Sequence, residues 1–232
     1  MFKKRPDAKT IIAILLAITL AGSIVYSAMC LAMAPETGAD ESVRVRSDYI
    51  LMLSQCCLGL LVMFVPSVLQ RRWTWPIPDF MHILYFIFLY CAIYLGEVRN
   101  FYYLVPNWDT WLHTFSGGML GALGFVVVDQ LNEVRGVPVK LGPKFIAIFA
   151  LCFAMTVGAL WEIYEFTFDG LLGLNMQKFR LENGVELVGR AALRDTMKDL
   201  IVDLVGALLV VGTGYIGARR KDKARREAER SR

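Results

Sequence analysis

The chain has 232 residues, 56% of them hydrophobic and 20% charged, with a formal net charge of +4. A soluble domain is about 45–50% apolar, so this composition excludes a disordered chain, a collagen-like repeat and a disulfide scaffold. It points to an integral membrane protein that carries an unusual number of ionisable groups.

Six apolar runs follow one another, each about 17–25 residues, enough to cross the hydrocarbon core as a helix. The first spans residues 11–34. It exceeds the ~7–15 residues of a signal-peptide core, and Pro35 follows Ala32-Met33-Ala34, so a retained helix is expected. The others span residues 49–69, 80–96, 109–128, 145–168 and 195–217. Cys30, Cys56, Cys57, Cys91 and Cys152 all sit inside these runs, without Cys-x-x-Cys or Cys/His spacing, and read as small hydrophobes. Between the last two runs, Phe179-Arg180-Leu181-Glu182 and Val185-Glu186-Leu187-Val188 flank Asn183-Gly184, the pattern of a tight β-hairpin. Residues 218–232 mix both charge signs with a basic excess and are expected to continue as a solvated, cytoplasmic helical tail. The expected fold is all-α: a single polytopic membrane domain, a bundle of six transmembrane helices, with a small β-hairpin in the last outer loop.

Lys and Arg set the orientation. Seventeen of the 25 flank the side that holds both termini, seven flank the other, and Lys198 lies within the sixth run. Both termini are therefore expected in the cytoplasm. The basic excess reports topology and contact with membrane lipids, and no nucleic-acid partner is expected. Trp73, Trp75, Trp108 and Trp111 fall at run ends as interfacial anchors.

The acids are less ordinary. The fourth run opens with Asp109 and then His113; the fifth ends with Glu162, Glu165 and Asp169; the sixth opens with Asp195, Asp199 and Asp203. Spacings of three and four put each set on one helix face. With Asp109, Asp169 and Asp195 as an outer rim, a rise of 1.5 Å per residue places His113, Glu165 and Asp199 ~6 Å below it, Glu162 ~10 Å and Asp203 ~12 Å. The rim acids also suit helix N-caps, as in Asp109-Thr110 and Asp195-Thr196. For the deeper set that explanation fails. Each ionisable group inside a span costs about 2.5–3.5 kcal/mol, and two carboxylates ~4 Å apart repel by ~4 kcal/mol at an effective dielectric of about 20. The set needs protonation, water access or a cation. A divalent metal held by His113, Glu162, Glu165, Asp199 and Asp203 is the economical solution. Oxygen donors suit Mg, Mn or Ca, and the imidazole keeps Mn, Fe and Zn open. Glu162, Glu165 and Asp199 are the catalytic candidates. Gly117, Gly121, Gly158 and Gly206 lie beside the acids and permit close helix approach. Arg180, Arg190 and Arg194 are expected to pair with the acids or to meet a phosphate.

The motifs DTWLHTFSGG (109–118), WEIYEFTFD (161–169) and DTMKDLIVDLVGA (195–207) resemble the bacterial inner-membrane family typified by YjdF, over most of the chain after the first run. A looser similarity to VanZ-like membrane proteins rests on acidic motifs near helix ends. The resemblance implies a multi-helix protein of the bacterial inner membrane and brings no reaction with it. Three functions stay open on the residues: a metal-dependent hydrolase or transferase acting on a lipid or lipid-linked phosphate, a cation or proton transporter using the same carboxylates, and a non-catalytic scaffold. No P-loop or Gly-x-Ser-x-Gly motif is present, which argues against ATP use and acyl transfer.

Overall fold

The structure is a computed structural model, and it describes residues 7–35, 44–73, 77–133, 141–181 and 185–230. Its helices are α1 (Ala8–Met33), α2 (Arg46–Val62), α3 (Val65–Trp73), α4 (Asp79–Leu89), a π-helix (Tyr90–Val98), α5 (Phe101–Leu104), α6 (Trp108–Glu133), α7 (Pro143–Leu172) and α8 (Arg194–Arg230). Among the described residues, six spans are long and apolar enough to cross a membrane: Ala8–Met33, Arg46–Arg72, Asp79–Val98, Trp108–Asn132, Pro143–Leu172 and Arg194–Ala228. Each contains most of one expected run. The last continues as helix into the charged tail, where Asp222 holds Arg225 and Arg226 at 3.2 and 3.0 Å.

Two compact units divide the chain. One comprises Met1–Leu112 with Tyr164–Asp195, the other His113–Ile163 with Thr196–Arg232.

The first unit is built on Leu16, Leu20, Met52, Cys56, Met63, Phe86, Leu89 and Ile93, contributed by α1, α2 and the residue that caps it, α4 and the π-helix. Gly59 admits the approach: a Cβ there would lie 2.3 Å from Ile93 Cδ1 and 3.2 Å from Leu20 Cδ1. The second span is broken between α2 and α3, and Pro66 supplies the reason. Proline has no N–H to donate to the carbonyl four residues back. The Val62 carbonyl instead accepts from the Tyr85 hydroxyl at 2.8 Å. The third span changes to a π-helix after Leu89. Arg44 caps its end, donating to the carbonyls of Glu97 and Val98 at 3.1 and 3.3 Å. At the other end of this span, Lys9 of α1 and Asp79 of α4 form an ion pair at 2.6 Å.

The hairpin expectation is corrected. Among the described residues no β-strand forms, and Arg180 and Glu186 make one isolated antiparallel bridge. Its turn, residues 182–184, lies outside the described residues. Left-handed backbone stands just outside both arms, at Lys178 (φ 48°) and Gly189 (φ 61°), and between them the Leu181 N–H donates to the Val185 carbonyl at 2.9 Å and the Leu187 N–H to the Phe179 carbonyl at 2.8 Å. The bridge residue is also claimed by the loop before it. Asn175 accepts from the Arg180 N–H at 2.9 Å and donates to the Arg180 carbonyl at 2.7 Å.

The second unit consists of α6 from His113, α7 up to Ile163 and α8 from Thr196. Glycines set its helix spacing. A Cβ on Gly117 would lie 2.3 Å from the Asp203 carbonyl oxygen, one on Gly206 2.0 Å from the Thr114 carbonyl oxygen, and one on Gly124 2.6 Å from Ala150 Cα. These are backbone-to-backbone contacts, the closest packing that helices achieve.

Candidate functional site

The glycine contacts fix which residues share a level in the second unit. Along α6 and α8, His113 approaches Asp199, Gly117 approaches Asp203, and Gly121 approaches Ala207. The pairs advance four residues at a time on both helices, so these helices run parallel. On α7, Gly158 faces Asp203: a Cβ there would lie 2.7 Å from Asp203 Oδ2. Glu162 is one turn on from Gly158, as Asp199 is one turn back from Asp203. The Gly124–Ala150 contact gives the same answer independently, since His113 and Glu162 each lie about 17 Å from it along their own helices. Glu162 thus lies level with His113 and Asp199. All three are buried, as is Asp203: His113 is 9% exposed, Glu162 5%, Asp199 1% and Asp203 2%.

The His113 imidazole stands between two carboxylates. Nδ1 is 3.3 Å from Asp203 Oδ2, and Nε2 is 3.9 Å from Asp199 Oδ2. Ser116 Oγ lies 3.1 Å from Asp203 Oδ1 and 2.9 Å from the His113 carbonyl, and shares its one hydrogen between them. The first ring contact is hydrogen-bond length and the second is longer. A neutral ring donates from one nitrogen only. With the proton on Nδ1 and pointing at Asp203, the Nε2 lone pair faces Asp199 Oδ2 across a 3.9 Å gap. Two acceptors so placed attract a positive charge between them. A transition metal sits about 2.0–2.2 Å from nitrogen or oxygen ligands, so one ion reaches both atoms.

The rim acids lie in the other unit and have protein partners there. Asp109, in the first turn of α6, and Asp195, in the first turn of α8, share the ammonium of Lys178: Nζ contacts Asp109 Oδ2 and lies 3.3 Å from Asp195 Oδ1. The Tyr102 ring lies beneath it, its centroid 5.9 Å away. Asp169 accepts the N–H groups of Met176 and Gln177 at 2.8 and 3.0 Å, which folds the chain back after α7. Replacing Asp169 by alanine should leave those two donors unmatched and cost about 1–3 kcal/mol. Limited proteolysis should then cut within residues 173–178, where the wild-type protein resists. Glu165, half-buried, belongs to the same unit as these rim acids.

Lys178 was not singled out by sequence reasoning, which looked to the arginines. Arg180 instead donates to the carbonyls of Gly173 and Leu174 at 3.3 and 3.1 Å, just past the end of α7. The only available signal for Lys178 was its position as the first cation after Asp169. The Ser116 hydroxyl supports Asp203 from the same helix turn as Gly117.

Comparison with known proteins agrees with this architecture. A protein of Thermotoga maritima named "Uncharacterized protein" is 27% identical over 157 residues, covering 66% of this chain and 70% of the relative. No solved structure matches the chain. Residues 11–220 match the family described as "Predicted membrane protein (DUF2238)", a stretch that contains the middle four spans whole, most of the first and last, and every residue of the His113 cluster. The chain therefore belongs to the DUF2238 family of predicted membrane proteins.

Proposed function

We propose that this protein, which resembles the YjdF-like inner-membrane proteins, binds one divalent cation between His113 Nε2 and Asp199 Oδ2. The cation serves a hydrolase or transferase acting on a lipid or lipid-linked phosphate. The carrying observation is the 3.9 Å gap between those two atoms, closed from behind by the contact of Asp203 with Nδ1. A mixed nitrogen and oxygen donor set suits Mn, Fe or Zn better than Mg or Ca. The site lies ~6 Å inside the first turns of α6 and α8, near headgroup depth. There the cation would polarise a phosphoryl oxygen. Water would attack phosphorus, Glu162 would take its proton, the ester P–O bond would break, and the departing alkoxide would be protonated from solvent. On the far side of the cluster, the Gly121, Gly206 and Gly124 contacts bring backbones together. This packing favours a one-sided site over a transport path.

Metal analysis of the purified protein, dialysed against Mn²⁺ or Zn²⁺, tests the reading. About one ion per chain is expected in wild type, and far less after Asp199→Ala or His113→Ala. Equal metal content in all three would overturn it. The positive-inside count supports a site on the outer face, with both termini in the cytoplasm. Val188 is 85% exposed in the loop between α7 and α8. In a background without native cysteines, Val188→Cys should react with an impermeant maleimide in intact cells. Lys223→Cys in the tail should react only after permeabilisation. The opposite pattern would invert the topology.

A further inference from the structure

The sequence treats Asp203 as one ligand among five. We infer instead that Asp203 is a positioning residue, one that fixes the His113 ring so that Nε2 is presented as the ligand atom. The inference rests on the metal reading above and adds a role to that site.

Three observations carry it. First, Asp203 meets the ring nitrogen opposite the one that faces Asp199: Oδ2 is 3.3 Å from Nδ1, and an ionised carboxylate there favours the tautomer with its proton on Nδ1. Second, the other oxygen is occupied. Oδ1 accepts from Ser116 Oγ at 3.1 Å. Third, the carboxylate is walled in. A Cβ on Gly158 would lie 2.7 Å from Oδ2, and one on Gly117 would press on the Asp203 backbone. With both oxygens engaged and a helix backbone against the outer edge, Asp203 cannot turn toward Nε2. Asp199 is placed the other way, with Oδ2 toward Nε2. A carboxylate behind a ligating histidine fixes its tautomer and ring orientation, and losing such a partner weakens metal binding by about 10–100-fold. This also gives Gly158 a purpose: it leaves room for the carboxylate that orients the ring.

The chain has two histidines, His82 and His113, so nitrogen NMR of ¹⁵N-histidine-labelled protein is readily assigned with a His82→Gln variant. The wild-type protein, without added metal, should show the His113 proton on Nδ1. Asp203→Leu should release the ring into a mixture of tautomers. Gly158→Ala, whose Cβ would press on the Asp203 carboxylate and on no backbone atom, should do the same. Both variants should bind Mn²⁺ about 10–100-fold more weakly, with stoichiometry and imidazole coordination unchanged. A wild-type ring protonated on Nε2, or on both nitrogens, would overturn the inference. So would loss of all Mn²⁺ binding in both variants, since that is the behaviour of a lost ligand. If the tautomer responds as expected but the wild-type protein binds no Mn²⁺, the metal reading fails and the positioning role stands.

Discussion

His113→Ala should weaken Mn²⁺ binding by more than the ~100-fold that marks loss of a supporting partner, because it removes a ligand and its scaffold together. Without the ring, Asp203 loses the group it holds at 3.3 Å and Asp199 loses the atom it faces at 3.9 Å. Three buried acids, Glu162, Asp199 and Asp203, then remain with no imidazole among them. Their mutual repulsion has no nitrogen donor to anchor a compensating cation. Two effects should therefore appear together. Metal titration should lose its saturable phase, and thermal stability should no longer rise when Mn²⁺ is added. Wild-type stability should rise with Mn²⁺ by mass action, about 2.7 kcal/mol at a hundredfold excess over Kd. His113→Gln, which restores volume and one polar donor, should recover fold stability without recovering the metal response.

Gly206→Ala should be the most destabilising single methyl addition in the second unit. Its Cβ would lie 2.0 Å from the Thr114 carbonyl oxygen and 3.2 Å from the Gly118 nitrogen. Both are backbone atoms of α6, so no rotamer change relieves the clash and the two helices must separate. Overpacking costs about 1–3 kcal/mol where side chains can adjust, and more where they cannot; the upper end or beyond is expected here. Separation of α6 from α8 also widens the His113–Asp199 gap, so metal affinity should fall with stability. Gly212→Ala is the matched control. It lies on the same helix and a Cβ there meets nothing within 4 Å. It should leave the melting temperature unchanged or raise it, since alanine is favoured over glycine in helices by about 0.5–1 kcal/mol. Melting curves in one detergent would compare the two directly.

The spans were legible because a helix that crosses lipid must be apolar along its length and hydrogen-bonded within itself, and both properties are written locally. The glycines beside the acids were legible for the same reason: only a missing Cβ lets Gly117 meet the Asp203 backbone. What escaped depends on partners far away in the chain. The break at Pro66 is readable, but not that Tyr85 serves the carbonyl it leaves. The π-helix at Tyr90–Val98 replaces an apolar run with nothing local to announce it. Depth counting put Glu162 about 4 Å deeper than His113, because it took Asp169 as the level of Asp109 and Asp195. The glycine register brings Glu162 to the level of His113 and Asp199, while Asp169 binds the returning backbone. Lys178 was hidden because a lysine in a loop shows its partners only when the loop is folded. The hairpin was overread because an Asn-Gly turn specifies a reversal, while left-handed backbone at Lys178 and Gly189 bounds the pairing on both sides and leaves a single bridge.

Pulsed electron paramagnetic resonance of Mn²⁺ bound to the purified protein tests the central claim most directly, because it registers a nitrogen in the metal's coordination shell. One bound Mn²⁺ per chain is expected, with coupling to a single imidazole nitrogen, present in wild type and His82→Gln and absent in His113→Ala. A bound ion without nitrogen coupling, or coupling that survives in His113→Ala, would contradict it.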